Sequence, residues 1–390
     1  MNINNTSRKR YNMLKTSITV FLIFFQTSIH AASNVNSVGS GEQKGAEIIA
    51  AADDNDNNKI KPFYKWTPLM IAAWKGNKEK VQALLDQGSP IDEKDEDQRT
   101  ALIYAAWNGN TAIVYMLLNH GAAIDQKDTH GYSALTWAIR SGYSTTVKLL
   151  ITRHANINLR DKNEMTPLMW AVEENRSHLL NVLISNKATV DAVDNLGRTA
   201  LMIAAKKGNV SSVTQLIKAG ARQNIRDKQG HNALWYATAV GNQNAVNVLL
   251  SSPAMTNMKD NDGQTPLMLA ALNGHIGVVD LLISKGANIN EKSKTGNTAI
   301  SLAASRGQTS VVTLLIDKGA NIGIQNDFGN NALMIAAQRG YMEVVKALLD
   351  AKAKMSVKNK NGDTASDLAK FNGHEEIAKL LKSSTGFKLF

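Results

Sequence analysis

The sequence predicts an all-α solenoid of stacked helix-turn-helix units joined by hairpin-like loops, and three observations predict it. Thr67, Thr100, Ser133, Thr166, Thr199, Asn232, Thr265, Thr298, Asn331 and Thr364 follow one another at intervals of 33 residues with no insertion, the mark of an array of small supersecondary units. All ten are Thr, Ser or Asn, whose side chains accept hydrogen bonds from the free N–H groups that open a helix. Inside each interval an apolar i, i+3, i+4 stripe recurs, as in Val81/Leu84/Leu85 and Val213/Leu216/Ile217.

Each element of the unit follows from its residues. Pro68, Pro167 and Pro266 come directly after their anchors, where a missing N–H costs nothing. The first helix then runs through small and apolar residues such as Leu201, Met202, Ile203, Ala204 and Ala205. It stops near a Gly in nine units and near Asn175 in the remaining one, Asn being the next best residue for a left-handed turn. The second helix carries the stripe, which repeats as Val114/Leu117/Leu118, Val279/Leu282/Ile283 and Val345/Leu348/Leu349. Gly88, Gly121, Gly220, Gly286 and Gly319 close it, whereas His154, Lys187, Pro253 and Lys352 stand at that place in other units. Asp and Gly in stretches such as Asp128 to Gly131 and Asp194 to Gly197 are placed for tight β-turns.

Composition bounds what the array can be. The chain has 390 residues, 43% of them hydrophobic and 20% charged, which excludes a disordered or collagenous polymer. Without Cys it has no disulfide, no thiolate metal site and no cysteine nucleophile.

Ahead of the array, residues 1–31 read as a secretory signal peptide. Arg8, Lys9, Arg10 and Lys15 form a basic front, Ile18 to Phe25 is an apolar run too short to cross a bilayer, and small residues follow. Cleavage is expected after Ala31 or Ser33, retention as an anchor being the alternative. Loss of the segment lowers the formal charge from +11 to +7. Residues 32–62 read as a disordered polar linker with room for a short capping helix at 42–52, residues 63–382 as ten repeats, and 383–390 as a tail. Export without Cys suits a bacterial-type periplasmic or secreted protein.

The repeat resembles the ankyrin family. The resemblance rests on Thr-Pro-Leu at Thr67, Thr166 and Thr265, on Ala-Ala-x-x-Gly-Asn at Ala72 to Asn77, and on Leu-Leu-Ile-Ser-Lys-Gly-Ala-Asn-Ile-Asn at Leu281 to Asn290. One feature departs from the family pattern. The His expected after Thr-Pro-Leu is absent, its place taken by Met70, Ile103, Thr136, Met169, Met202, Trp235, Met268, Ser301, Met334 and Asp367. Packing by adaptable Met side chains is expected to stand in for the hydrogen bonds of that His. Stacked units are expected to make a curved rod about 90–100 Å long.

No chemistry is expected of this chain. Its eight His lack metal-ligand spacing within any unit, no phosphate-binding Gly loop precedes a helix, and no nucleophile turn is present. Asp128, Asp161, Asp194, Asp227 and Asp260 form a ladder in the sequence, each expected to cap its own turn. The chain is therefore expected to be a monomeric, non-catalytic binder of a protein partner, without cofactor, metal or nucleic acid.

The family implies that partners lie on the concave groove formed by loop tips and first helices. The positions that match are rich in Trp, Tyr and Arg at one end: Trp66, Trp74, Arg99, Trp107, Tyr132 and Arg140, with Phe63 and Tyr64 on the first tip. Later units hold Glu173, Glu174, Lys206 and Lys207, which read as ordinary polar surface. The competing expectation is that the first aromatics only cover the exposed end of the array, and replacing Trp74 and Trp107 by Ala is expected to leave the melting curve nearly unchanged. A different reading is an anionic polymer or membrane surface held by the last third, where residues 286–390 carry 14 Lys+Arg against 9 Asp+Glu. A third is a secreted effector acting on a host protein.

Overall fold

A computed structural model describes residues 66–250 and 253–383. The expected signal segment, linker, capping helix and C-terminal tail, together with Phe63 and Tyr64, lie outside the described residues. The described chain is a run of helix pairs with no strand. The first pair is α1 (Pro68–Lys75) and α2 (Lys78–Asp86), followed by α3 (Ala101–Trp107) with α4 (Thr111–Asn119) and α5 (Ala134–Ser141) with α6 (Ser144–Thr152). The fourth to sixth pairs are α7 (Pro167–Glu173) with α8 (Ser177–Ser185), α9 (Ala200–Lys206) with α10 (Val210–Lys218), and α11 (Ala233–Ala239) with α12 (Gln243–Leu249). A four-residue helix, α13 (Pro253–Thr256), interrupts the pattern. The last four pairs are α14 (Pro266–Asn273) with α15 (Ile276–Ser284), α16 (Ala299–Ser305) with α17 (Thr309–Asp317), α18 (Ala332–Arg339) with α19 (Met342–Asp350), and α20 (Ala365–Phe371) with α21 (Glu375–Ser383).

Each anchor does the work its chemistry suggests. The Thr67 hydroxyl accepts from Met70 N at 3.2 Å, and the side chain of Asn331 accepts from Met334 N at 3.0 Å. The family His has two substitutes. Met70, Met169, Met202, Met268 and Met334 are each 1% exposed, so methionine fills the core there. At Ser301 and Asp367 a side-chain oxygen still accepts from the anchor N–H, at 2.9 and 3.0 Å. Trp235 is partly exposed.

First helices pack on first helices and second on second, from pair to pair along the chain. The stripe faces inward: Val114, Leu117, Val213, Leu216, Val279, Leu282, Val345 and Leu348 are all fully buried, while the third residues of these trios, Leu118, Ile217, Ile283 and Leu349, are half-buried; in the first unit Val81 and Leu85 are buried and Leu84 is half-buried. Lys80 is exposed where the equivalent Ile113, Val278, Val311 and Val344 are buried, so α2 turns a polar face outward. At the other end Ile377, Ala378 and Leu381 are buried beneath the charged residues of α21.

The turns that close second helices adopt φ of 76° at Gly88 and 85° at Gly286, as expected. His154, Lys187 and Lys352 adopt the same left-handed conformation, at φ 63°, 67° and 63°. Pro253 cannot, because its ring fixes φ near −65°. Here α12 is seven residues long where α10 has nine, and α13 follows. The hairpin-like loops are joined by one backbone bond per junction, including Thr129 N to Asp97 O at 2.8 Å and Lys162 N to His130 O at 3.1 Å, and the series continues to Lys360 N and Phe328 O.

Candidate functional site: an aromatic and arginine pile

The five Trp of the first four pairs, with Tyr104 and Tyr132, form one connected pile. The Trp66 ring lies 4.3 Å from Tyr104, Trp74 lies 5.1 Å from Trp107, and Trp107 stacks on Trp137 at 4.2 Å. Tyr132 then meets Trp137 at 5.5 Å and Trp170 at 5.2 Å, both edge to face. Trp66, Trp74 and Trp107 are half-buried against the core, whereas Tyr132 is 7% exposed. Of the residues expected to form the groove site, Tyr132 is thus enclosed and the three Trp show partial faces.

Two guanidinium groups complete the pile. Arg99, from the loop before α3, lies 5.2 Å over Trp107 and 5.6 Å over Trp137. It pairs with Asp97 at 2.9 Å and approaches Asp128 at 3.7 Å. Arg140, in the last turn of α5, lies 4.5 Å over Trp170, 4.8 Å over Tyr132 and 5.0 Å over Trp137, and its Nε donates to Glu174 at 3.2 Å. Contacts of this kind contribute about 0.5–2 kcal/mol each. Burial pushes the Tyr132 hydroxyl up to about 12, against the lowering effect of Arg140, so it stays protonated and neutral.

Sequence reasoning missed Tyr104, Trp137 and Trp170 as members, and the signal that marks them is an Asp nine residues earlier. In the ladder Asp128 Oδ1 accepts from His130 N and Tyr132 N, both at 2.9 Å, which is the expected turn cap. Its second oxygen accepts from Trp137 Nε1 at 3.0 Å. Asp161 repeats this with Trp170 at 2.9 Å, Asp227 with the Tyr236 hydroxyl at 2.7 Å, and Asp95 with the Tyr104 hydroxyl. Burial raises the Asp161 carboxyl above its usual range, the bonds to Met165, Trp170 and Asn163 opposing the shift. Burial and the bond to Asp95 raise the Tyr104 hydroxyl further still.

The pile changes one expectation. Trp74→Ala with Trp107→Ala removes rings that pack on Trp66, Tyr104 and Trp137, so it costs about 1–3 kcal/mol of stability instead of leaving the melting curve unchanged. Glu174, read from sequence as plain surface, is tied into the pile through Arg140, and Glu173 pairs with Lys207 at 2.6 Å.

Among the described residues no group of three or more His, Asp or Glu is placed to hold a metal ion. No helix among them is long and apolar enough to cross a membrane.

A family model described as ankyrin repeats, three copies long, matches residues 30–128, 124–194, 168–260, 202–293, 252–326 and 300–389. No curated protein matches the chain. Ankyrin repeats commonly mediate protein–protein interaction, which supports a scaffold role for the chain. With this register of matches laid over ten helix pairs, the chain belongs to the ankyrin-repeat family.

Proposed function

We propose that this chain is a non-catalytic scaffold that works outside the cytoplasm and holds a protein partner on the face around Trp66, Trp74, Arg99, Trp107, Tyr132 and Arg140. The observation that carries the reading is the pile itself. Among the described residues, rings and guanidiniums are stacked together in this way in the first four pairs, and they hold one another in place before any partner arrives. Pre-ordered Trp, Tyr and Arg lose little conformational entropy on binding and dominate the energy of protein interfaces. The basic, apolar and small-residue order of residues 1–31 supports export, with periplasm and medium both open to the chain.

The test compares what copurifies with the intact chain and with two variants in the native compartment. Trp74→Ala/Trp107→Ala is expected to lose the partner at a temperature where it remains folded by circular dichroism. Arg306→Ala/Arg339→Ala, one register position further on in later units, where the first two units hold Lys75 and Asn108, is expected to keep it. Undiminished capture by the Trp variant would sink the site, and loss in the Arg variant alone would move it to the basic end. Sequencing the mature N-terminus checks export, with Ala32 or Asn34 expected as the first residue.

A further inference from the structure

The residue four places after the turn-capping Asp is basic in three of the hairpin-like loops: Arg99, Arg198 and His231. Each lies next to buried carboxylates. Arg99 approaches Asp128 of the following unit at 3.7 Å, and Arg198 pairs with Asp194 of its own turn at 2.7 Å. His231 reaches in both directions. Its Nδ1 is 3.6 Å from Asp227 in its own turn and its Nε2 is 3.8 Å from Asp260 in the next, with side-chain exposures of 18% for His231, 0% for Asp227 and 5% for Asp260. The ring is held flat on Trp235, centroids 3.6 Å apart and planes within 15°.

The charged groups around it leave the position to the imidazole. The Tyr236 hydroxyl donates to Asp227, and Arg226 donates to Gly230 O at 2.9 Å and to Lys259 O. Lys259 pairs with Glu291 at 2.7 Å, Arg198 is engaged by Asp194, and Lys228 and Asp262 on the same two tips face solvent. Burial opposes ionisation of Asp227, yet the bonds from His231 and Tyr236 outweigh it and hold the carboxyl below its usual range.

The junction is also where the array is least regular. Here α12 is two residues short, and Trp235 Nε1 and Thr238 Oγ1 of α11 are buried without hydrogen-bond partners. Buried polar groups left unpaired weaken the packing around them.

We propose that His231 is a protonation-dependent clasp between the sixth and seventh units, in which the neutral ring, with a single N–H, can serve at most one of the two carboxylates and the protonated ring, with two, becomes the cation shared by Asp227 and Asp260. Both charges must be present for the attraction. The clasp therefore acts only where the imidazole is protonated and both carboxylates are ionised. It is released as pH rises through the imidazole range, and again as pH falls far enough to protonate the carboxylates.

The experiment is amide hydrogen exchange of the full chain at about pH 5 and about pH 8, corrected for the intrinsic pH dependence of exchange. Protection of segments 227–231 and 260–264 is expected to be about fivefold higher at the lower pH in the intact chain, the size of a half-buried ion pair. His231→Arg is expected to be protected at both pH values. His231→Asn, which places there the residue found at Asn297 and Asn330, is expected to lose the response while remaining folded. Loops 293–297 and 326–330 serve as references within the same molecule. Equal pH dependence in the intact chain and in His231→Asn, or none in the intact chain, overturns the clasp, and either result leaves the proposed partner site untouched.

Discussion

The carboxylate of Asp161 divides its two oxygens between two tasks. Oδ1 accepts from Asn163 N and Met165 N at 2.7 and 2.9 Å and fixes the turn, while Oδ2 receives the Trp170 indole N–H. Either an amide or a carboxylate can do the first task. Asn326 and Asn359 occupy the same register, and there the residues nine places on are Ile335 and Leu368, which have nothing to donate. At Asp95, Asp128, Asp161 and Asp227, whose partner nine places on is an aromatic donor, an amide nitrogen would face that donor's N–H or O–H; Asp194 and Asp260 precede Ile203 and Leu269 by the same spacing, and there the second oxygen faces Arg198 and His231 instead. Asp161→Asn is therefore expected to cost about 1–3 kcal/mol by chemical denaturation, the penalty of stranding a buried indole N–H. Trp170→Ile loses packing of its own, but in the double variant most of the Asn penalty should vanish. Additive losses in the double-mutant cycle would refute the pairing. The turn-capping half of this arrangement is legible in the sequence from Asp and Gly alone. The second half is not, because a nine-residue spacing matches no local helix or turn rule and acquires meaning only when the loop folds back over its own helix.

Helices and turns were the most legible part of the chain, since anchor, stripe and Gly stop are local signals read against a fixed period. The departures are equally physical. Lys187 and Lys352 in left-handed turns show that the register of the array can impose a conformation on residues that do not favour it, at about 1–2 kcal/mol each. Pro253 cannot be imposed upon in this way, and the helix before it shortens instead. Glycines at the loop tips and at the helix ends also differ in what they are for. A Cβ on Gly131 would lie 2.8 Å from Lys162 N, the atom that donates to the neighbouring carbonyl of His130, whereas a Cβ on Gly319 meets nothing within 4 Å. Both have positive φ, 87° and 84°. Gly319→Ala should therefore cost only the left-handed penalty, about 1–2 kcal/mol, and Gly131→Ala should cost at least about 1 kcal/mol more by pushing two tips apart. Urea denaturation of the two variants decides this, and equal losses would mean that the tip bond is not needed for stacking.

Across the described array, each pair packs chiefly on its neighbours, so stability is roughly a sum of pair and junction contributions and a lesion should have consequences that depend on where it falls. The period made this architecture legible from sequence. The side to which each ring is committed was not, because Trp66, Trp74 and Trp107 read as exposed groove residues until Tyr104 and Trp137 are seen to pack against them. Leu216 and Leu282 lie within the run and are fully buried, and Leu381 in α21 is 2% exposed. Truncation to Ala at either of the first two should cost about 2–5 kcal/mol. At Leu216 the loss falls in the fifth pair, next to the irregular junction of the sixth and seventh, so the flanking blocks can separate. Its urea transition is expected to broaden or divide into two, with α14 to α21 retaining hydrogen-exchange protection after α9 to α12 have lost it. Leu381→Ala should instead fray only α20 and α21 and leave the main transition in place. A single transition of unchanged steepness for both variants would show that the array unfolds as one cooperative body, and the junction would then have no mechanical role of its own.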